Sequence, residues 1–137
     1  MLFRSLDWTA NPLVAAYFAC NDGHLDAAQI VQDKVLYCVD QFAFPEANLG
    51  NSPFEIDEVS MFVPRHATRR IEAQAGLFTI HPKPELAVTD DRVTCYILKR
   101  ECVIDLGSTV EIYGIHRASL FPGLDSIASQ ICKWYIR

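Results

Sequence analysis

The sequence predicts a single α/β domain, or its α+β variant, built as a small mixed sheet with flanking helices. Three observations lead there. The chain has 137 residues and is half hydrophobic, the length and apolar content of one domain with a substantial core. Short segments near residues 35, 59, 77 and 93 combine β-branched and aromatic residues between turn formers, which reads as strands. Segments 12 to 20 and 122 to 134 each open on a proline and carry apolar residues at helical spacing.

Taken in order, residues before Asn11 read as a loop feeding the first helix, in which Asn11 accepts at the N-cap and Pro12 fits the first helical position. Leu13, Val14, Tyr17, Phe18 and the alanines among them leave no polar face, so this helix is expected in the interior. Asn21-Asp22-Gly23 stops it, and residues 24 to 33 read as a short polar-faced helix before a strand at Val35 to Val39. Two prolines, Gly50 and several acids make 41 to 58 a surface loop. Val59 to Val63 is the next strand, followed by a short helix from His66 to Ala75, with Gly76 as its left-handed terminator.

Strands at Leu77 to His81 and Val93 to Leu98 follow, separated by the Pro82-Lys83-Pro84 turn. Residues 101 to 113 fit either an amphipathic helix on Val103, Leu106, Val110 and Tyr113 or a strand from Thr109; the helix is preferred, although Gly107 weakens it by about 1 kcal/mol. The last helix places Leu124, Ile127, Ala128 and Ile131 on one face and Ser126, Ser129, Gln130 and Lys133 on the other.

Composition narrows the function classes. Twelve basic against 17 acidic residues give no general pull toward phosphate backbones. No apolar run is long enough to span a bilayer, and the first residues do not have the order of a secretory signal, so a cytoplasmic protein without a membrane partner is expected. Five cysteines at scattered positions suggest reduced, mostly buried thiols. His24, His66, His81 and His116 form no recognised metal motif, so no metal is expected.

Three stretches mix polar residues into apolar runs. They are Leu6-Asp7-Trp8-Thr9-Ala10-Asn11-Pro12-Leu13, with Arg4 before it; Arg69-Arg70-Ile71-Glu72-Ala73-Gln74-Ala75-Gly76-Leu77-Phe78; and Tyr113-Gly114-Ile115 followed by Ala118-Ser119-Leu120-Phe121-Pro122-Gly123-Leu124-Asp125. In this order they closely resemble the FRG domain, a family named for a Phe-Arg-Gly motif, over most of the chain. Phe3-Arg4-Ser5 does not supply that motif, because it directly precedes Leu6-Asp7-Trp8-Thr9 and so matches the Arg-Leu-Leu-Asp-Trp-Thr part of the family pattern. The resemblance implies that residues 1–137 are an FRG-like domain lacking its usual N-terminal part. Apolar surface is then left uncovered, and self-association or a partner covering it is expected.

The residues themselves allow two readings of the first stretch. Arg4 and Asp7 can pair beneath the Trp8 indole and pin the chain onto the helix, as a buried carboxylate requires. Alternatively Asp7, Thr9 and Asn11 read a ribose or base while Trp8 or Tyr17 stacks on it. Arg65, His66, Arg69 and Arg70 form a basic cluster that is either a solvated face or an anion site near a helix N-terminus. Arg70 and Gln74 are four apart, so on a helix they share a face, and Phe78 falls on the next strand. Ser119 caps or turns rather than attacks.

Three functions are consistent with this pattern. The resemblance favours a nucleotide- or nucleic-acid-related binding role in a prokaryotic phage-defence or toxin–antitoxin setting. A looser similarity to ADP-ribosyltransferases, which bind NAD in the cleft of a split sheet, makes NAD transfer the alternative. There a Gln-Ala-Glu-Phe type of strand supplies the catalytic glutamate, whereas here Gln74-Ala75 runs into Gly76, so Glu72 or Asp125 would have to serve. A scaffold domain whose polar motifs fix only the fold is the third.

Overall fold

The computed structural model describes residues 5–21, 32–40, 42–48, 50, 52, 54–65, 68–85 and 91–135. In chain order the elements are β1 (Ser5–Thr9), α1 (Pro12–Cys20), β2 (Lys34–Val39), β3 (Ser60–Phe62), α2 (Arg69–Ala73), β4 (Gly76–Ile80), β5 (Val93–Leu98), α3 (Arg100–Ile112), α4 (Arg117–Leu120) and α5 (Leu124–Tyr135). Helices and small sheets thus alternate as the α/β reading requires. The strands divide into two sheets, one ordered β1-β4-β3 and one formed by β2 and β5. Every strand pair is antiparallel, and the expected strands near 35, 59, 77 and 93 divide between these two sheets instead of forming one mixed sheet; an isolated parallel bridge joins Glu46 to Met61.

The opening stretch is a strand, not the expected loop. Ser5 to Thr9 pair residue by residue with Ile80 to Gly76, which carries Leu6 and Trp8 on one face and Asp7 and Thr9 on the other. A five-residue alternation ending on a turn gives little periodicity to read, and long-range pairing with β4 decides the conformation.

α1 begins as its sequence dictates. Asn11 is extended and its side chain accepts the Leu13 N–H at 2.9 Å, while Pro12 occupies the first turn. Val14, Ala16 and Tyr17 bury against Val110 of α3 and Leu120 of α4, with Leu106, Ile115 and Phe121 around them. The other side of α1 is not interior, because Leu13 and Phe18 stay about two-fifths exposed. Residues 22–31, most of the expected second helix, lie outside the described residues; residues 32 and 33 are not helical.

The segment from 42 to 58 is loop, as expected, yet it is not wholly surface. Phe44 is buried with the Arg92 guanidinium 4.2 Å above its ring. α2 is shorter than read from sequence, starting at Arg69 with Thr68 accepting the Ile71 N–H. Its left-handed terminator is Ala75, at φ 46°, rather than Gly76. Gly76 instead opens β4, where an added Cβ would come within 3.2 Å of Ile71 Cγ2. The chain therefore needs the glycine for space and tolerates the strained backbone one residue earlier.

The preferred helix over 101 to 113 forms as α3, with Val103 and Val110 buried two turns apart. Its cap residue, Lys99, makes no side-chain cap hydrogen bond. Asp33, just before β2, substitutes by accepting from the Arg100 N–H at 3.1 Å and from Lys99 Nζ at 2.8 Å. The hydrogen bond from Lys99 holds the Asp33 carboxyl below its ordinary pKa.

α5 is rotated opposite to expectation. Ser126 and Gln130 are buried, whereas Leu124 is 86% exposed and Ile127 and Ile131 are about half exposed. Periodicity identifies an apolar stripe but not which stripe meets the protein. Here the contacts with α4 set the rotation, together with the Lys133–Glu111 ion pair and the edge-on packing of His116 against Trp134. The expectation of buried thiols also fails: Cys38, Cys95, Cys102 and Cys132 are exposed, and Cys20 is partly buried. The exposed cysteines belong to β2, β5, α3 and α5, and the β2–β5 register puts Cys38 and Cys95 on opposite faces of their sheet, so two strands alone cover neither thiol.

Candidate functional site

Two four-residue runs, Leu6 to Thr9 of β1 and Lys34 to Tyr37 of β2, line a cavity of about 740 Å³. Side chains alternate along a strand, so consecutive lining residues mean that the cavity runs along strand edges rather than over a sheet face. Each strand has one partner among the described residues, β4 for β1 and β5 for β2, and the cavity lies where the two sheets fail to join. Ala15, Phe18 and Ala19, at helical steps of three and four, bring α1 into the wall. Arg70 and Gln74 of the α2 turn complete it. The volume falls in the range of about 300–1,000 Å³ usual for small-molecule sites.

The lining is apolar with a few polar groups. Leu6, Phe18, Val35 and Tyr37 are between 40% and 62% exposed, which is apolar surface that an occupant would cover. Lys34 and Arg70 supply positive charge and Asp7 a carboxylate. Strand edges without a partner among the described residues also carry backbone N–H and C=O groups able to meet a polar ligand.

Polar side chains fix this geometry from below. The Trp8 Nε1–H donates to Thr79 Oγ1 at 2.9 Å, and Thr79 Oγ1 lies 2.8 Å from His81 Nε2. Having accepted from the indole, the Thr79 hydroxyl can still share a hydrogen bond with His81 in either direction, according to the imidazole tautomer. Burial pushes the His81 pKa below its ordinary value, which keeps the ring neutral and able to accept. On the opposite side Thr9 Oγ1 donates to the Gln74 carbonyl at 2.7 Å, and Gln74 Nε2 donates to the Leu120 carbonyl at 3.1 Å. β1, the α2 turn and α4 are tied together through these two bonds.

The sequence-predicted residues therefore part company. Asp7, Trp8, Thr9, Arg70 and Gln74 converge on the cavity. Asn11 caps α1 and Tyr17 lies in the core, where burial raises its phenol pKa; neither lines the cavity. Phe78 packs on Phe62, with ring centroids 6.1 Å apart, and is also outside the lining. Glu72 on α2 and Asp125 in the first turn of α5 are exposed and do not line it either. Arg4 and His66 lie outside the described residues, so the expected Arg4–Asp7 pair does too. Arg65 and Arg69 are exposed away from the lining, in keeping with a solvated face.

Sequence reasoning missed Phe18 and the whole β2 wall, Lys34 to Tyr37. The small-aromatic-small step of Ala15, Phe18 and Ala19 was the available signal in α1; β2 carried none beyond strand composition. Among the described residues no group of three or more His, Cys, Asp or Glu could hold a metal ion, and no helix is long and apolar enough to cross a membrane. No family model, curated protein or solved structure matches the chain.

Proposed function

We propose that the protein is a cytoplasmic binding module of FRG type whose inter-sheet cavity takes a nucleotide or the end of a nucleic acid, in a prokaryotic defence or toxin setting. One observation carries the reading. Residues more than 60 positions apart in sequence, Asp7, Trp8 and Thr9 on one side and Arg70 and Gln74 on the other, line a single open cavity. An aromatic wall suits a base, Asp7 suits ribose or base donors, and the two cations suit phosphate.

ADP-ribosyl transfer from NAD is the second reading, since a cavity between two sheets is the geometry expected of it. Binding ranks above it because Asp7 is the one carboxylate among the described lining residues, while Glu72 and Asp125 lie elsewhere. Incubation with labelled NAD and DNA separates the two. Saturable binding without label transfer is expected, weakened about tenfold or more in Arg70→Gln, the cost of one charge-assisted hydrogen bond. Label transfer lost in Glu72→Ala would instead establish the transferase. A melting temperature unmoved by nucleotides, NAD and single-stranded DNA alike would leave a scaffold domain.

A further inference from the structure

The polar rim of the cavity extends beyond its lining residues. Phe18, in the wall, meets Phe121 edge to face with ring centroids 6.0 Å apart. Phe121 in turn carries two guanidinium groups, Arg70 at 4.9 Å and Arg117 at 5.8 Å from its ring centroid. Local structure holds both arginines there. Arg117 opens α4 and its carbonyl accepts the Phe121 N–H, so residue and ring are one helical turn apart. Gln74, one turn after Arg70, anchors its side chain on the Leu120 carbonyl beside Phe121.

A guanidinium held over a ring by its charge keeps its N–H donors free for a further partner. Among the described residues, no hydrogen bond or ion pair engages either group. Glu111, whose charge reaches Tyr17 as that of Arg117 does, is committed to Lys133. Two like charges thus share one ring beside the cavity wall, with no carboxylate in ion-pair contact with either among the described residues. An occupying anion would relieve that repulsion and could engage planar donors from both sides.

We propose that Arg70 and Arg117, seated on Phe121, form a phosphate clamp at the rim, and that the ligand of the cavity carries a diphosphate. This rests on the reading of the cavity as a nucleotide-type site. The base would lie against the Trp8 and Phe18 wall and the diphosphate would reach past Phe18 to the paired arginines. Arg117 thereby becomes a specificity residue that the lining alone does not reveal.

Calorimetric titration of the whole chain with adenosine, AMP, ADP and inorganic pyrophosphate tests this, using Arg70→Gln and Arg117→Gln, with Arg69→Gln as a neighbouring control and thermal melts to confirm folding. ADP is expected to bind at least tenfold more tightly than adenosine. Each clamp variant should lose about tenfold or more of ADP affinity while adenosine binding and the Arg69→Gln control stay unchanged. Equal affinity for ADP and adenosine overturns the clamp and leaves the nucleotide site standing. Pyrophosphate binding that depends on both arginines, with ADP no tighter than pyrophosphate, supports the clamp and overturns the nucleotide site. Failure of all four probes to bind overturns both.

Discussion

Thr79→Val tests whether the hydrogen-bond chain beneath the cavity holds Trp8 in place. Thr79 is 1% exposed, and valine matches its shape, so the substitution leaves no cavity and adds no bulk. What disappears is the hydroxyl that accepts from the Trp8 indole and bonds to His81. A buried polar group left without its partner costs about 1–3 kcal/mol. Trp8 is only partly buried, which puts its share at the low end, while His81 is 7% exposed and bears the larger share. The expected loss is about 2 kcal/mol. In a urea titration with a slope of about 2 kcal/mol/M, the midpoint falls by about 1 M at unchanged slope. Thr79→Ser keeps the hydroxyl and should cost no more than about 1 kcal/mol. Combined with Trp8→Phe, Thr79→Val should be less than additive by about 0.5 kcal/mol or more. A valine variant within 0.5 kcal/mol of the parent, or a strictly additive cycle, would refute the network.

Three further outcomes follow from the geometry. Ala75→Gly should raise stability by about 1 kcal/mol because Ala75 sits at φ 46°, and Gly76→Ala should lower it by a similar amount against Ile71, both read by chemical denaturation. Burial lowers the pKa of His81, so the unfolded chain takes up the proton first; its contribution is complete above about pH 6.5 and lost as pH falls through the folded pKa. Stability measured from pH 7 to 5 should therefore fall more steeply in the parent than in His81→Asn. On α5, Leu124→Lys should change stability by less than about 0.5 kcal/mol, where a buried apolar face would lose several. Gln130→Met should gain about 1 kcal/mol, since the buried Gln130 Nε2 has no hydrogen-bond partner among the described residues.

The parts of the fold legible in sequence are those decided locally. Asn11-Pro12 starts a helix because the cap and the fixed proline φ act within one turn, and β2 and β5 appear where β-branched and aromatic residues cluster between turn formers. What could not be read was decided by distant partners. β1 exists because β4 pairs with it about 70 residues later, and α3 is capped by Asp33 from the far side of β2. α5 shows the limit most plainly. Its stripe was readable, but the inward face is set by Glu111, His116 and α4, none of which the period of the helix can report.

The candidate site follows the same division, and this bears on what its residues are for. α1 is apolar all round, so sequence could not say that Val14 and Tyr17 would enter the core while Ala15, Phe18 and Ala19 would face the cavity. Tyr17 and Phe18 look interchangeable on paper; one residue of rotation makes the first a core aromatic and the second the link to Phe121. Polar residues divide likewise. Asn11 and the Gln74 side chain are engaged by backbone groups of the fold, and the Thr9 hydroxyl donates to Gln74, which accounts for them without a ligand. Asp7 and Arg70 have no comparable hydrogen bond among the described residues, though both line the cavity. Architecture thus explains the residues that hold the cavity's shape but gives Asp7 and Arg70 no hydrogen-bonding role among the described residues and leaves the aromatic wall half exposed. The ligand hypothesis rests on that remainder, and Asp7→Asn and Arg70→Gln should weaken nucleotide binding while leaving the urea midpoint of the free protein essentially unchanged.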